Sequence, residues 1–197
     1  MSQSDLTALI GSRICHDLIS PLGAIGNGVE LLGMSGVVAG PEMALISESV
    51  ENANARIRFF RVAFGGASAD AMMGRSEIVG ILNAMYRTGR LKVTWAVAGD
   101  QPRRIVKLAF LALQCMESAL VWGGEIVVSE DGGRWTLDGS GERVKFDETL
   151  WALATGESVE APLVAADVHF ALLPLMADEV GRPIKASVQD ARIALSF

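Results

Sequence analysis

Residues 13–28 read RICHDLISPLGAIGNG and hold one of only two histidines in the chain. Around this stretch apolar side chains recur at Ile10, Ile14, Leu18, Leu22, Ile25, Val29 and Leu32. Steps of three and four are the period of a helix with one buried face. Ser4 or Asp5 can cap that helix near Leu6, and Gly33, Ser35 and Gly36 break it near Met34. Pro21 falls inside it and removes one backbone bond, so a bend in the preceding turn is expected. At about 100° per residue His16 points roughly 170° away from the apolar stripe, which makes a core histidine the wrong picture. Its helical neighbours Ser12, Ser20, Gly23 and Asn27 are small or short, a clearing that another protein surface can approach. Asp17 follows directly, and a carboxylate there can accept from Nδ1–H, fix the tautomer and leave Nε2 as a nucleophile. An ordinary surface histidine fits the same periodicity, and geometry alone does not say what the imidazole attacks.

Working outward, Pro41 suits the first turn of a second helix. Its apolar positions Met43, Ile46, Val50, Ala53, Ile57, Phe60 and Phe64 step by three and four over three heptads. Two helices joined by a short loop form a hairpin, which alone buries too little apolar surface. Pairing of two hairpins into a dimeric four-helix bundle is therefore expected. Arg56, Arg58 and Arg61 on this helix read as a solvated face.

The run GGASADAMMG, residues 65–74, is small-residue and flexible in character and marks a boundary. It divides the chain into a helical hairpin at 1–67 and a second domain at 68–197. In the second part the pattern predicts a helix over 76–87, a strand in LKVTWAVAG and a long helix over 103–121 ended by Gly123-Gly124. Two strands follow across the Asp131-Gly132-Gly133 turn, then helices near 147–154 and 166–180 and two last strands in PIKASVQ and RIALSF. The class is α+β, the second domain an α/β sandwich with helices on one sheet face.

The chain has 197 residues, half of them hydrophobic and a fifth charged, enough to bury a real core. A net charge of −6 argues against a nucleic-acid binder. Cys15 and Cys115 lie far apart in apolar context and read as reduced thiols. MSQSDLTALI lacks a basic, then apolar, leader pattern, and the most apolar window is interrupted by Lys107, Gln114 and Glu117. Neither a secretory signal nor a membrane span is expected, and the reading is a cytoplasmic protein. His169 lies in the other predicted domain, and no His, Cys and carboxylate residues have metal-ligand spacing, so no metal is expected. No nucleophile-elbow motif is present either, which argues against a serine hydrolase.

The segment HDLISPLGAIGNGVELL resembles the phosphoacceptor box of two-component sensor kinases, H-[DE]-L-x-[ST]-P-L-x-x-I, matching at His16, Asp17, Leu18, Ser20, Pro21, Leu22 and Ile25. The resemblance implies that His16 is the phosphorylated residue and Asp17 its acid/base or tautomer partner. Ser20 stands where some relatives position a hydrolytic water. The segment IVKLAFLALQCMESALVWGGEIVV resembles the part of the kinase ATPase (Bergerat) fold that leads into a double-glycine turn. Where that family places an Mg²⁺-binding asparagine this chain has Cys115, and four residues earlier Leu111, neither able to hold the ion. LDGSGE keeps one Asp and two glycines of the next nucleotide box with disturbed spacing, which an ordinary turn also explains. Of the final phosphate loop only Gly156 is present.

An intact phosphoacceptor box on a nucleotide-dead, kinase-like body resembles the ChpT-type histidine phosphotransferases of phosphorelays. ALLPLMADEVGRPIKA is similar to that family's last helix, glycine turn and strand. The resemblance implies a homodimer that takes a phosphoryl group from a hybrid kinase's receiver aspartate onto His16 and passes it to response regulators. The Mg²⁺ would then come from the receiver, and no cofactor is expected in this chain. Ser12, Arg13, Ile19, Gly23 and Asn27 are the expected partner-binding residues. Two other readings stay open: an active sensor kinase, which would bind ATP, and a non-catalytic module that occupies receivers or kinases.

Overall fold

The structure is a computed structural model and describes residues 10, 13–14, 17–18, 21, 23–25, 27–28, 31–32, 40–68, 70–159 and 163–197. Every described residue between 10 and 32 is helical, Pro21 included, as the apolar period requires. The second hairpin helix, α1 (Pro41–Ala63), starts with proline in its first turn, where the missing N–H costs no helical bond. The two approach closely: Gly28 is buried, and a side chain there would run into Ile46 Cγ1. A side chain at position 28 would therefore force Ile46 to move at the helix crossing.

The rest of the chain is a mixed α+β unit. A five-stranded sheet runs in the order β2 (Leu91–Trp95), β4 (Gly124–Asp131), β5 (Arg134–Ser140), β7 (Arg192–Ser196), β6 (Lys185–Gln189). Only β2 and β4 pair in parallel; the other neighbours are antiparallel. The β4–β5 hairpin turns on Gly132 and Gly133, with φ of 56° and 89°. Both lie in the left-handed region that a two-residue hairpin turn demands. Period-two patterning buries Ile126, Val128, Trp135, Leu137, Ile193 and Leu195 on one face, while Val127 and Asp138 face outward. The helices cover the buried face: α2 (Arg75–Met85), α3 (Arg103–Ala119), α4 (Glu148–Ala154) and α5 (Val168–Glu179), the last preceded by a 3₁₀ turn (Ala165–Asp167). Asp147 caps α4 by accepting from the Thr149 and Leu150 amides at 3.1 Å.

At residues 65–74 the structure departs from the expected loose boundary. Met72–Met73 form β1, which pairs antiparallel with β3 (Gln101–Pro102). Carbonyls of this stretch, and that of Arg61 in the last turn of α1, are taken by three cations of α3. Lys107 Nζ donates to Gly65 O at 2.9 Å, Arg103 to Arg61 O at 3.2 Å and Gly66 O at 3.5 Å, and Arg104 to Ala67 O at 3.4 Å.

One large core cluster joins α1 to the sheet and its helices, and a small second cluster forms around Val168 and Ala171. Phe59, Phe60, Val62 and Ala63 of α1 are buried in the same cluster as Phe110 and Leu113 of α3, Ile126 of β4 and Leu195 of β7. Phe59 stacks on Phe110 with centroids 4.7 Å apart. Ile14 packs against this cluster, and Ile10 against Val168 and Ala171 of α5. No helix among the described residues is long and apolar enough to cross a membrane.

Candidate functional site

His16, Ser12, Ile19 and Ser20 lie outside the described residues, so the site is built from their neighbours. Asp17 is the anchor. Its side chain is 8% exposed and turned inward against the second hairpin helix. Arg13, one helical turn earlier, places Nε 2.9 Å from Asp17 Oδ2, and Arg56 of α1 places a guanidinium nitrogen 3.9 Å from the same oxygen. Charge of this kind is tolerated away from water because each member has an opposite neighbour. A groove of about 460 Å³ opens beside it, with Asp17, Pro21 and Ala24 on one wall and Glu48, Asn52 and Arg56 on the other.

The pair continues into the helices that cover the sheet. Arg13 donates to the Ala166 carbonyl at 3.3 Å and, over a long 3.5 Å, to Gln114 Oε1. The Gln114 amide donates to Glu117 Oε2 at 3.0 Å, and the Tyr86 hydroxyl reaches the same oxygen at 3.3 Å. Burial raises the Glu117 carboxyl above its usual range, an effect that Arg56, Arg13 and the Tyr86 hydroxyl oppose and Asp17 reinforces. Burial and the Glu117 carboxylate push the Tyr86 phenol well above its ordinary value. Two carboxylates and two guanidiniums thus meet where the hairpin rests on α3, three of the four supplied by the hairpin.

Several expectations change here. Arg13, expected on the docking surface, has its guanidinium spent on Asp17, Gln114 and Ala166 inside the chain. Arg56, expected on a solvated face, sits beside Asp17 and acts on Glu117. Gly23 and Asn27 are exposed, and nothing lies within 4 Å of a methyl built on Gly23. Sequence reasoning missed Gln114, Glu117 and Tyr86. The available signal was Gln114 and Glu117 at i, i+3 spacing in the apolar second half of α3, which puts two polar groups on one face.

His169 is fully buried. Ser118 Oγ donates to Gln114 O at 3.1 Å, so it accepts from His169 Nε2, also at 3.1 Å. Nδ1 is left as the unprotonated nitrogen, with no hydrogen-bond partner. Burial, and secondarily Arg13, lower its pKa to about 3, so the ring is neutral and structural.

Positions 111 and 115 of α3 carry Leu and Cys, both buried. Above them Gly139 of β5 is held by packing: a methyl there would meet Met116 Cε at 2.7 Å and Leu120 Cδ1 and Ile193 Cγ2 at 3.1 Å. Asp138 is directed to the opposite, solvent face of the sheet. No group of three or more His, Cys, Asp or Glu among the described residues is placed to hold a metal ion.

Compared with known proteins, the chain as a whole falls in an established class. The family model described as the histidine phosphotransferase C-terminal domain matches residues 75–192, and the chain belongs to that family. Among its relatives is the protein phosphotransferase ChpT of Brucella abortus (strain 2308), 35% identical over 190 residues, which are 93% of this chain and 90% of the relative. A solved structure of a bacterial phosphotransferase superimposes with a TM-score of 0.86 at 33% identity, covering 100% of this chain and 97% of that one. The chain is a histidine phosphotransferase of the phosphorelay type.

Proposed function

We propose that this chain shuttles phosphoryl groups between receiver-domain aspartates through His16, without ATP. The neutral His16 Nε2 attacks the phosphorus of a receiver acyl phosphate; the P–N bond forms as the P–O bond breaks, and the receiver carboxylate leaves. The second receiver's aspartate then attacks the phosphohistidine, and the imidazole leaves. Positioning and charge neutralisation carry both in-line steps. Asp17 holds the Nδ1 proton and supports the charge that develops on the ring. Mg²⁺ brought by the receiver would neutralise the phosphoryl oxygens. Gly23 and Asn27, open to solvent, form the docking face together with Ser12 and Ile19 of the same helix, and Ser20 supports the chemistry at His16.

The observation that carries the ATP-free reading is the pair Leu111 and Cys115, buried and apolar at the positions where sensor kinases ligate Mg²⁺. On this reading the sheet domain is a kinase ATPase fold whose nucleotide site is filled by its own side chains. Incubation with a labelled phospho-receiver domain in the absence of ATP should label the chain and leave His16→Ala unlabelled. Labelling of His16→Ala would reject the assignment, and calorimetric binding of ATP with Mg²⁺ would reject the nucleotide-free reading in favour of a kinase.

Homodimerisation belongs to the same proposal. Met43, Val50 and Ile57 recur every seven residues on α1 and are each about two-fifths exposed in the single chain, at 38%, 39% and 41%. A heptad stripe of this kind is what a second hairpin covers in a four-helix bundle. The proposed setting is the cytoplasm.

A further inference from the structure

Arg13 has a shape of engagement that an ordinary helix-surface ion pair lacks. Its three guanidinium nitrogens each face a different partner: Nε forms an ion pair with Asp17 of its own helix at 2.9 Å, without hydrogen-bond geometry, one terminal nitrogen donates to the Ala166 carbonyl at 3.3 Å, and the other donates over 3.5 Å to Gln114 of α3. Gln114 is itself 2% exposed and is fixed from its other side by its bond to Glu117. The carboxylate next to His16 in sequence is therefore connected, through one planar fork, to two elements of the sheet domain. A planar guanidinium can satisfy acceptors in three directions, and an ammonium on a flexible stem cannot do so with the same geometry.

We infer that Arg13 is a positioning residue for phosphotransfer: it holds the Asp17 carboxylate in the orientation that serves His16, and the sheet domain holds Arg13 through Gln114 and Ala166. The inference rests on the proposed roles of His16 and Asp17. It gives the sheet domain a part in the chemistry that needs no nucleotide. Other charges facing Asp17 are Arg56 from α1 and, through the field, Glu117 from α3.

The test uses the full chain and phosphoramidate as a small phosphoryl donor, so that docking of a receiver does not enter. Phosphohistidine formation is followed across pH, and the imidazole ¹⁵N shifts are recorded; with only His16 and His169 in the chain, a His169→Gln spectrum assigns the two. Arg13→Lys keeps the charge and loses the fork. Its rate should fall about tenfold, a part of the 10²–10⁴ that a positioned acid–base partner contributes, with the His16 tautomer and pH profile moving toward those of Asp17→Asn. The double variant should be no slower than Asp17→Asn alone, because both changes remove one device. Gln114→Leu, which leaves Arg13 and Asp17 in place, should give a smaller fall of the same kind and provides the answer if Arg13→Lys does not fold. A rate for both Arg13→Lys and Gln114→Leu within twofold of the parent, or a double variant whose losses multiply, overturns the inference. Loss of label in His16→Ala with no effect of Asp17→Asn also overturns it while leaving the relay through His16 intact; label retained in His16→Ala rejects the relay itself.

Discussion

Replacing Val50 by glutamate should split the proposed homodimer while leaving the protomer folded. Val50 sits between Met43 and Ile57 on the outward stripe of α1, with 39% of its surface free in the single chain. Complete burial of such a side chain is worth about 1.5–3 kcal/mol, so covering the remaining two-fifths gains about 1 kcal/mol. A two-fold axis presents the stripe twice, and six side chains together supply about 6 kcal/mol of apolar burial to the interface. Val50→Glu removes about 2 kcal/mol of this and brings a carboxylate from each chain into an apolar seam, where desolvation adds a cost at least as large. Dissociation should rise by more than about 100-fold, since 1.4 kcal/mol is a factor of ten. Sedimentation equilibrium at micromolar concentration should show a dimer for the parent and a monomer for Val50→Glu, with the two melting alike when dilute. Val188→Glu is the control, because Val188 is 37% exposed on β6, away from the hairpin, and its variant should stay dimeric. A parent that sediments as a monomer, or a Val50→Glu chain that sediments as a dimer, would refute the reasoning.

Three further outcomes follow from packing and charge. Gly139→Ala should cost about 1–2 kcal/mol, or roughly 3–6 °C in melting temperature, because its methyl displaces Met116, Leu120 and Ile193; labelling by a phospho-receiver should persist, and an unchanged melting temperature would remove the packing explanation of that glycine. His169 has a folded pKa of about 3 against roughly 6.5 unfolded, so the unfolded chain takes up the proton first and stability is lost as pH falls through that window. Between pH 7 and 5 this amounts to about 2 kcal/mol, which His169→Gln should remove from the urea-midpoint difference; Glu117, whose carboxyl is raised, works in the opposite sense in both chains and cancels in the comparison. Lys107→Met leaves the Gly65 carbonyl without its 2.9 Å donor, a loss of about 1 kcal/mol, and should speed proteolytic cleavage within residues 65–74; equal cleavage of parent and variant would show that the cation does not hold the stretch.

Elements whose physics is local were readable from the sequence. Pro41 announced the start of α1 and Asp131-Gly132-Gly133 the β4–β5 hairpin turn, whereas the apolar run Ile126-Val127-Val128 did not tell which of its side chains is buried. Two-residue strands are too short to show a period, so Met72–Met73 passed for a loose linker until Gln101–Pro102 came alongside. The Arg13–Asp17 pair went unread, Arg13 being assigned to the docking surface although its i, i+4 spacing from Asp17 permits an ion pair. What Arg13 does beyond Asp17 was not legible, because Gln114 is 101 residues away and Ala166 is 153 residues away, and only docking of the hairpin on α3 and the 3₁₀ turn brings them together. Arg56 failed for the same reason: its helical face is polar by sequence, yet that face meets Asp17.

The placement of this charge cluster follows from how α1 changes environment along its length. Near its C-terminal end Phe59, Phe60, Val62 and Ala63 are buried in the core shared with α3. Nearer its N-terminal end Met43, Leu45 and Val50 stand open to solvent. Arg56 lies at the crossing from one regime to the other, and Asp17 lies opposite it. At that level the hairpin is tied to the core through the stacked Phe59 and Phe110, and the groove between Asp17 and Pro21 on one side and Asn52 and Arg56 on the other opens beside it. A transfer step needs both properties at one place, because the reacting group must be held within a fraction of an ångström while its partner arrives and leaves. A freely swinging sheet domain would sacrifice the first, and a hairpin buried along its whole length would sacrifice the second. The boundary between core and surface is the one level of α1 that supplies both, and there the chain has put its carboxylates and guanidiniums.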